Sequence, residues 1–357
     1  MNFRTSIRLA SLLATVVSAV LAAPAVQAQS KDPAKLPPSV TKLVPQGVQV
    51  QVPVLPAPTW SLANASEMGM KDSMDVAASS SLSGVSALTG FRLRFDNGDH
   101  KLRRIGVLAK DRFASFALSD SNGDDPFSAV ASWAIISSGR SGTVSATGGG
   151  QFEIPIPGGK VAGHKLVLSG FEFRRKDGSD ANVRAIGVWL DGDRAVARVT
   201  LMDDQGPDFR GFERTIGMAL LGVPAGELKL TTDSMLAAVG QVNRGLGSGK
   251  YRPYAVQVQY AWIPDVAVSG VDVFTGTTRA PSSGKALPAN GVLQGFEFYF
   301  TNSDHHLLDI GVMGPRMRPG QGVLQNIPGE VVTFQDNNRD DSIRWAAELA
   351  ALKGAPR

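Results

Sequence analysis

Apolar and polar positions alternate with a period of two along two well-separated stretches. Phe91, Leu93 and Phe95 alternate with Arg92 and Arg94, and Phe296, Phe298 and Phe300 alternate with Glu297 and Tyr299. A period of two places the aromatics on one buried face of a strand and the charges on the solvated one. The stretches belong to a repeat. LTGFRLRF (88–95), LSGFEFRR (168–175) and LQGFEFYF (293–300) are each followed, after a polar segment, by Ile-Gly-Val at 105–107, 186–188 and 310–312. The likeness continues through Phe113–Leu118, Ala195–Leu201 and Val331–Phe334, and then through Phe127–Ile136 and Tyr254–Ile263. Each copy therefore reads as four strands.

Asn97-Gly98 predicts a tight hairpin turn between the first two strands of copy one, because a type I′ turn needs positive φ at both centres. With the third strand returning, the four strands form a meander. The segment SIRWAAELAAL at 342–352 favours a helix by composition and a strand by its place in the repeat; a strand is expected. The fold class is all-β, with three related four-stranded antiparallel units. They are either tandem small β-sandwiches or one pseudo-threefold β assembly, and the unequal spacing of 80 and 125 residues between copies favours the tandem form.

Around the repeats the pattern is weaker. Residues 1–28 carry Arg4 and Arg8, an apolar run from Leu9 to Ala22, and Val26-Gln27-Ala28, which together read as a secretory signal peptide. The run is too short to span a bilayer, and no later segment approaches the ~20 apolar residues a spanning helix needs. Residues 29–87 form a proline- and serine-rich extension, with 61–87 and also 137–150 reading as loop or linker. Repeat one is bounded at 88–137, repeat two at 168–264 with an insertion at 212–250, and repeat three at 293–353. The insertion predicts one helix, capped by Asp233 and stopped by Gly245. Its GLGSGK lacks phosphate-loop spacing, since Arg244 and Tyr251 stand where Gly and Ser/Thr belong.

Composition narrows the picture. There is no cysteine, so an exported chain of this length must hold itself together by burial. Loss of Arg4 and Arg8 with the signal takes the formal charge from +4 to +2, which leaves no strongly basic face for nucleic acid.

The candidate chemistry lies in two polar turns, FDNGDH and DSNGDD, which a meander brings to one end of the sheet. Copy one gathers Asp99, His100, Asp120, Asn122 and Asp124 there, and copy three gathers Asp304, His305, Asp336, Asn338 and Asp340. Asp120-x-Asn122-x-Asp124 and Asp336-x-Asn338-x-Asp340 match the 1-3-5 oxygen spacing of calcium loops. Position six is Asp125 or Asp341 rather than Gly, and position twelve is Ala131 or Ala347 rather than Glu, so these are not EF-hands. Ca²⁺ is the cofactor this spacing suggests. A His/carboxylate site for zinc is the narrower alternative. Plain turn structure, with Asx side chains bonding the local backbone, accounts for the same residues without any ion. Copy two keeps only Asp204, Gly206 and Asp208 and has Ala181 in place of the His.

No G-x-S-x-G elbow or H-E-x-x-H is present. Arg92, Arg94, Lys101, Arg103 and Arg104 read as a solvated strand face. Trp133, Trp189, Trp262 and Trp345 read as core, with Trp60 exposed. The expectation is an exported non-enzymatic protein that binds a glycan or protein ligand through loops on a rigid scaffold, with oligomerisation open. A structural component of the cell envelope and an exported hydrolase are the other classes.

Overall fold

The computed structural model describes residues 58–78, 83–203, 252–276, 287–300, 305–313, 331–336 and 343–356. In chain order the strands are β1 (Trp60–Met70) and β2 (Ser73–Ala77), followed by β3 (Val85–Phe95), β4 (Arg104–Lys110), β5 (Phe113–Ser119) and β6 (Phe127–Ile136) of copy one. Next come β7 (Arg140–Gly148) and β8 (Gly150–Pro155), then β9 (His164–Arg175), β10 (Val183–Asp191), β11 (Val196–Asp203) and β12 (Tyr254–Pro264) of copy two. Copy three has β13 (Val268–Gly276), then β14 (Gly291–Phe300), β15 (Asp309–Met313), β16 (Val331–Gln335) and β17 (Ile343–Leu352). The C-terminal segment is a strand, as the repeat required and composition did not.

The chain is all-β, but the copies are not tandem sandwiches. They form three antiparallel sheets with strand orders β1-β6-β3-β15-β16, β2-β5-β4-β9-β12-β7 and β13-β17-β14-β10-β11-β8. In every copy the first strand pairs with the fourth. The second and third strands form a hairpin that leaves for the next sheet. β4–β5 joins copy two through β9, β10–β11 joins copy three through β14, and β15–β16 closes on copy one through β3. The result is a pseudo-threefold ring, with each sheet built from two copies. First and second strands of one copy never pair, so the meander is corrected. Asn97 does not adopt the positive φ that a type I′ turn demands, because FDNGDH carries the chain from one sheet to another.

The two repeat motifs are the halves of each junction. Gly106 lies against Phe171, Gly187 against Phe296 and Gly311 against Phe91: a Cβ on these glycines would stand 2.9, 2.6 and 2.5 Å from the respective backbone oxygens. The glycine of Ile-Gly-Val is therefore set by close backbone approach to the Gly-Phe strand of the following copy. The three phenylalanines meet on the axis, with ring centroids of Phe91, Phe171 and Phe296 4.9–5.1 Å apart. Such pairs add about 0.5–1.5 kcal/mol each beyond the area they bury. A bulge precedes each phenylalanine, at Thr89, Ser169 and Gln294. It turns a polar side chain inward, where Ser169 donates to the Ser86 carbonyl and Gln294 to the Leu166 carbonyl of the preceding copy.

The junctions differ in charge. Arg92 forms a buried ion pair with Asp309, which also accepts from Thr333 at 3.0 Å. Arg104 meets Glu172 at 2.9 Å. In the third junction Ala185 stands where Arg104 and Asp309 stand in the others, and buried Glu297 accepts instead from Thr200, Tyr299 and Gln151. The predicted solvated basic face is thus corrected. Arg92 is 4% exposed, and Arg103 and Arg104 are both bonded to Asp72. A strand with a neighbour's carboxylate beside it can bury both faces.

Segments 61–87 and 137–150, expected as loops, hold β1, β2, β7 and most of the run into β8. β1, β7 and β13 each flank the fourth strand of their own copy, and β2 and β8 flank the third strand of theirs. The repeating unit is therefore longer than its motifs. Trp60, expected to be exposed, is 3% exposed and donates its indole N–H to the Lys353 carbonyl at 2.9 Å. It belongs to an apolar cluster with Val85, Ile136, Ile263, Val292 and Leu352 that closes the end of the ring away from the polar turns. The insertion at 212–250, with its expected helix, lies outside the described residues. Among the described residues no helix is long and apolar enough to cross a membrane.

Candidate functional site

The polar turns do meet at one end, on a small frame that the sequence did not announce. His100 pairs with Leu307, Ala181 with Leu102 and His305 with Val183, so each copy bridges to the next. Reciprocal backbone hydrogen bonds of 2.7–3.1 Å close this ring. Two of its three equivalent positions carry a histidine and the third carries Ala181. Each histidine packs on the last phenylalanine of its first strand, His100 on Phe95 and His305 on Phe300, at 4.7 Å between centroids.

Beneath each position lies a buried aspartate. Strand pairing makes Asp120, Asp203 and Asp336 equivalent, since Ile105, Ile186 and Ile310 face Leu118, Leu201 and Phe334. His305 Nδ1 lies 3.2 Å from Asp336 Oδ2. In copy two the partner of the aspartate comes from a different position: Arg175 replaces Phe95 and Phe300 and forms a fully buried pair with Asp203. Burial pushes the neighbouring Tyr254 phenol up, and Asp203 adds to the effect. The turn-based register that selected Asp204 is therefore off by one, and Asp204, Gly206 and Asp208 lie outside the described residues.

Copy one has the richest arrangement. Asp120 Oδ1 accepts from the backbone N–H groups of Asn122 and Gly123, both at 3.0 Å, an Asx turn that fixes the carboxylate. Its Oδ2 is 3.7 Å from His100 Nδ1, and Asp125 Oδ2 is 3.1 Å from the same nitrogen. Asn97 donates its amide to Asp125 Oδ1 at 2.6 Å, so its own Oδ1 is the atom 2.9 Å from His100 Nε2. Nε2 therefore carries a hydrogen, and Nδ1 is left directed at two carboxylates. A divalent cation placed between them would bridge all three groups. The Asn97 hydrogen bond holds the Asp125 carboxyl below its usual range despite some desolvation.

His100, Asp120 and Asp125 each offer one ligand atom within 4.8 Å of the others. Asn122 and Asp124 are exposed, and Asp124 is not among the three grouped side chains. Asp99 is half-buried beside His100. Of the copy-three candidates, His305 and Asp336 are brought together, while Asp304, Asn338 and Asp340 lie outside the described residues. Asp125, read from sequence as the sixth position of the loop, joins the group, while Asn97 and the copy-two pair Arg175–Asp203 were missed from sequence. The ladder register reveals Asp203, and the side-chain contacts reveal Asn97 and Arg175.

A second concavity lies at the other end of the strands. A cleft of about 640 Å³ opens among strands of copies two and three, lined by His164, Trp189, Val273, Gln294 and Glu348 among others. The Trp189 indole lies over Gly295 and donates to Glu348 at 2.7 Å.

The chain matches no protein-family model and no curated protein.

Proposed function

We propose that the chain is an exported, non-enzymatic binding protein that presents the turns of its histidine-bearing end to a glycan or protein ligand, and that a divalent cation stiffens the turns of copy one. The observation that carries this reading is His100 Nδ1 directed at Asp120 and Asp125 with its other nitrogen committed to Asn97. Loops held on a rigid frame suit recognition, since little ordering entropy is lost on binding.

Ca²⁺ is one candidate ion. The nitrogen ligand favours a second, Zn²⁺, which takes imidazole and carboxylate together at ~2.0–2.2 Å, whereas Ca²⁺ prefers oxygen. Tetrahedral bonds of that length separate neighbouring ligand atoms by roughly 3.3 Å, and the distances of 3.1 and 3.7 Å bracket this value.

The test is a thermal melt after chelation, with Ca²⁺ or Zn²⁺ added back separately. An ion that binds only the folded state raises the midpoint with concentration, by about 2.7 kcal/mol at a hundred times Kd. The expected outcome is a rise with one of the two ions that His100→Ala and Asp120→Ala both abolish. A midpoint indifferent to chelation and to both ions leaves Asp120 and Asp125 as direct polar partners of His100 and removes the cation from the proposal.

A further inference from the structure

The geometry points to a second site at the opposite end of the ring, in which the cleft between β9, β10, β13, β14 and β17 binds a neutral saccharide. This goes beyond the cation reading and shares no residue with it. It rests on the cleft and on the groups set around it.

Gln294 is the bulge residue of copy three. Where Ser169 spans the same gap with a short hydroxyl, Gln294 reaches across to the Leu166 carbonyl at 2.9 Å with its amide nitrogen. That contact fixes the orientation of the amide and leaves Oε1, buried and on the cleft side chain, with no hydrogen-bond partner. A buried acceptor without a donor costs about 1–3 kcal/mol, a cost that a donor entering the cleft removes. Ser169, the equivalent residue, has no comparable orphan.

The rest of the lining narrows the donor's chemistry. Its charges nearly balance, with Lys160, Lys165 and Arg198 facing Asp191, Asp193, Asp265 and Glu348, and two pairs are direct: Lys160 is bonded to Asp193 at 2.6 Å and Arg198 to Asp191 at 2.8 Å. A charged ligand would have to compete with these pairs, and a neutral one does not. Trp189, Leu166, Val271 and Val273 supply an apolar wall. Glu348, tied to the Trp189 indole, supplies a carboxylate rigid enough to accept from a hydroxyl. An apolar wall facing fixed acceptors suits a pyranose ring, which has C–H faces and a rim of hydroxyl donors. The volume of about 640 Å³ accommodates more than one such ring.

The experiment titrates the full chain with methyl glucoside, galactoside and mannoside and with a neutral N-acetylated disaccharide, beside glucuronate as the charged control. Binding is read by saturation-transfer NMR and by tryptophan fluorescence. Two variants accompany it: Gln294→Leu, and Val273→Glu, which adds a charge at a wall residue that is 38% exposed and tolerates substitution without refolding the core. The expected result is saturable binding of at least one neutral saccharide, weakened about tenfold or more by each variant and unchanged by His100→Ala. The inference is overturned if no neutral saccharide binds, if glucuronate is preferred, or if binding survives Val273→Glu. Because His100→Ala and the metal titration report on the other end, failure there leaves this result readable on its own.

Discussion

A buried aspartate recurs under all three turns while its partner changes identity and position: His100, Arg175 and His305 reach Asp120, Asp203 and Asp336 from two different positions. The recurring requirement is a polar partner for a desolvated carboxylate, and any side chain that reaches will serve. Glu297 is the exception, a buried carboxyl with only neutral donors. Burial pushes it above its ordinary value of 4.5, against the hydrogen bonds from Thr200, Tyr299 and Gln151. The folded state therefore holds a proton that the unfolded state has already lost. Stability is fully present below the unfolded value and declines as pH rises from there towards the raised folded value. Glu297→Gln keeps an acceptor for Thr200 and Tyr299 without the charge, so its melting point is expected to exceed wild type at neutral pH and to match it below pH 4.5; a melt series across pH checks this. Asp120, Asp336 and the two histidines were legible because the repeat copies them. Arg175 and Asp203 were not, because a partner that moves to another position leaves no trace in a motif comparison.

At the scale of the element, the charges at two of the three junctions favour a hairpin that leaves its own copy. Folded back as a meander, copy one would set Arg104 against Arg92, and copy three would set Asp309 against Glu297. Exchanged, Arg104 meets Glu172 and Asp309 meets Arg92. Like charges side by side in a sheet are destabilising, and opposite ones select the partner. Arg92→Glu is expected to cost about 3–5 kcal/mol, because it strands Asp309 in a buried site. Asp309→Arg in the same chain should restore much of that loss, and a double-mutant cycle by urea denaturation measures the coupling. The strands themselves could be read from sequence because their apolar period is clear. Their exchange could not, since a hairpin shows the same pattern whichever sheet receives it. β1 and β7 escaped notice for another reason: as flanking strands rich in Ser, Gly and Ala, they resemble linkers.

Across the whole molecule, no sheet belongs to one copy. Losing any copy would expose the pairing edges and axial phenylalanines of the other two. The described body is therefore expected to unfold as a unit, with tryptophan fluorescence and far-UV circular dichroism giving coincident urea transitions. Two separate transitions would mean that one sheet melts ahead of the others. The sequence offered both the tandem and the threefold arrangement, and its uneven spacing pointed to the wrong one. The spacing is uneven because copy two holds a long insertion between β11 and β12, not because the copies stand apart.

The contact between the Trp60 indole and the Lys353 carbonyl has a consequence for connectivity. It places the start of the first described strand beside the end of the last, so the order in which the chain visits the three sheets is cyclic in space although linear in sequence. A circular permutant that links Pro356 to Pro58 through a short glycine linker and opens at the exposed turn 137–139 would cut no sheet and move no junction. The polypeptide's beginning would then fall between copies one and two, and the same ring would close with a different pair of copies making the last join.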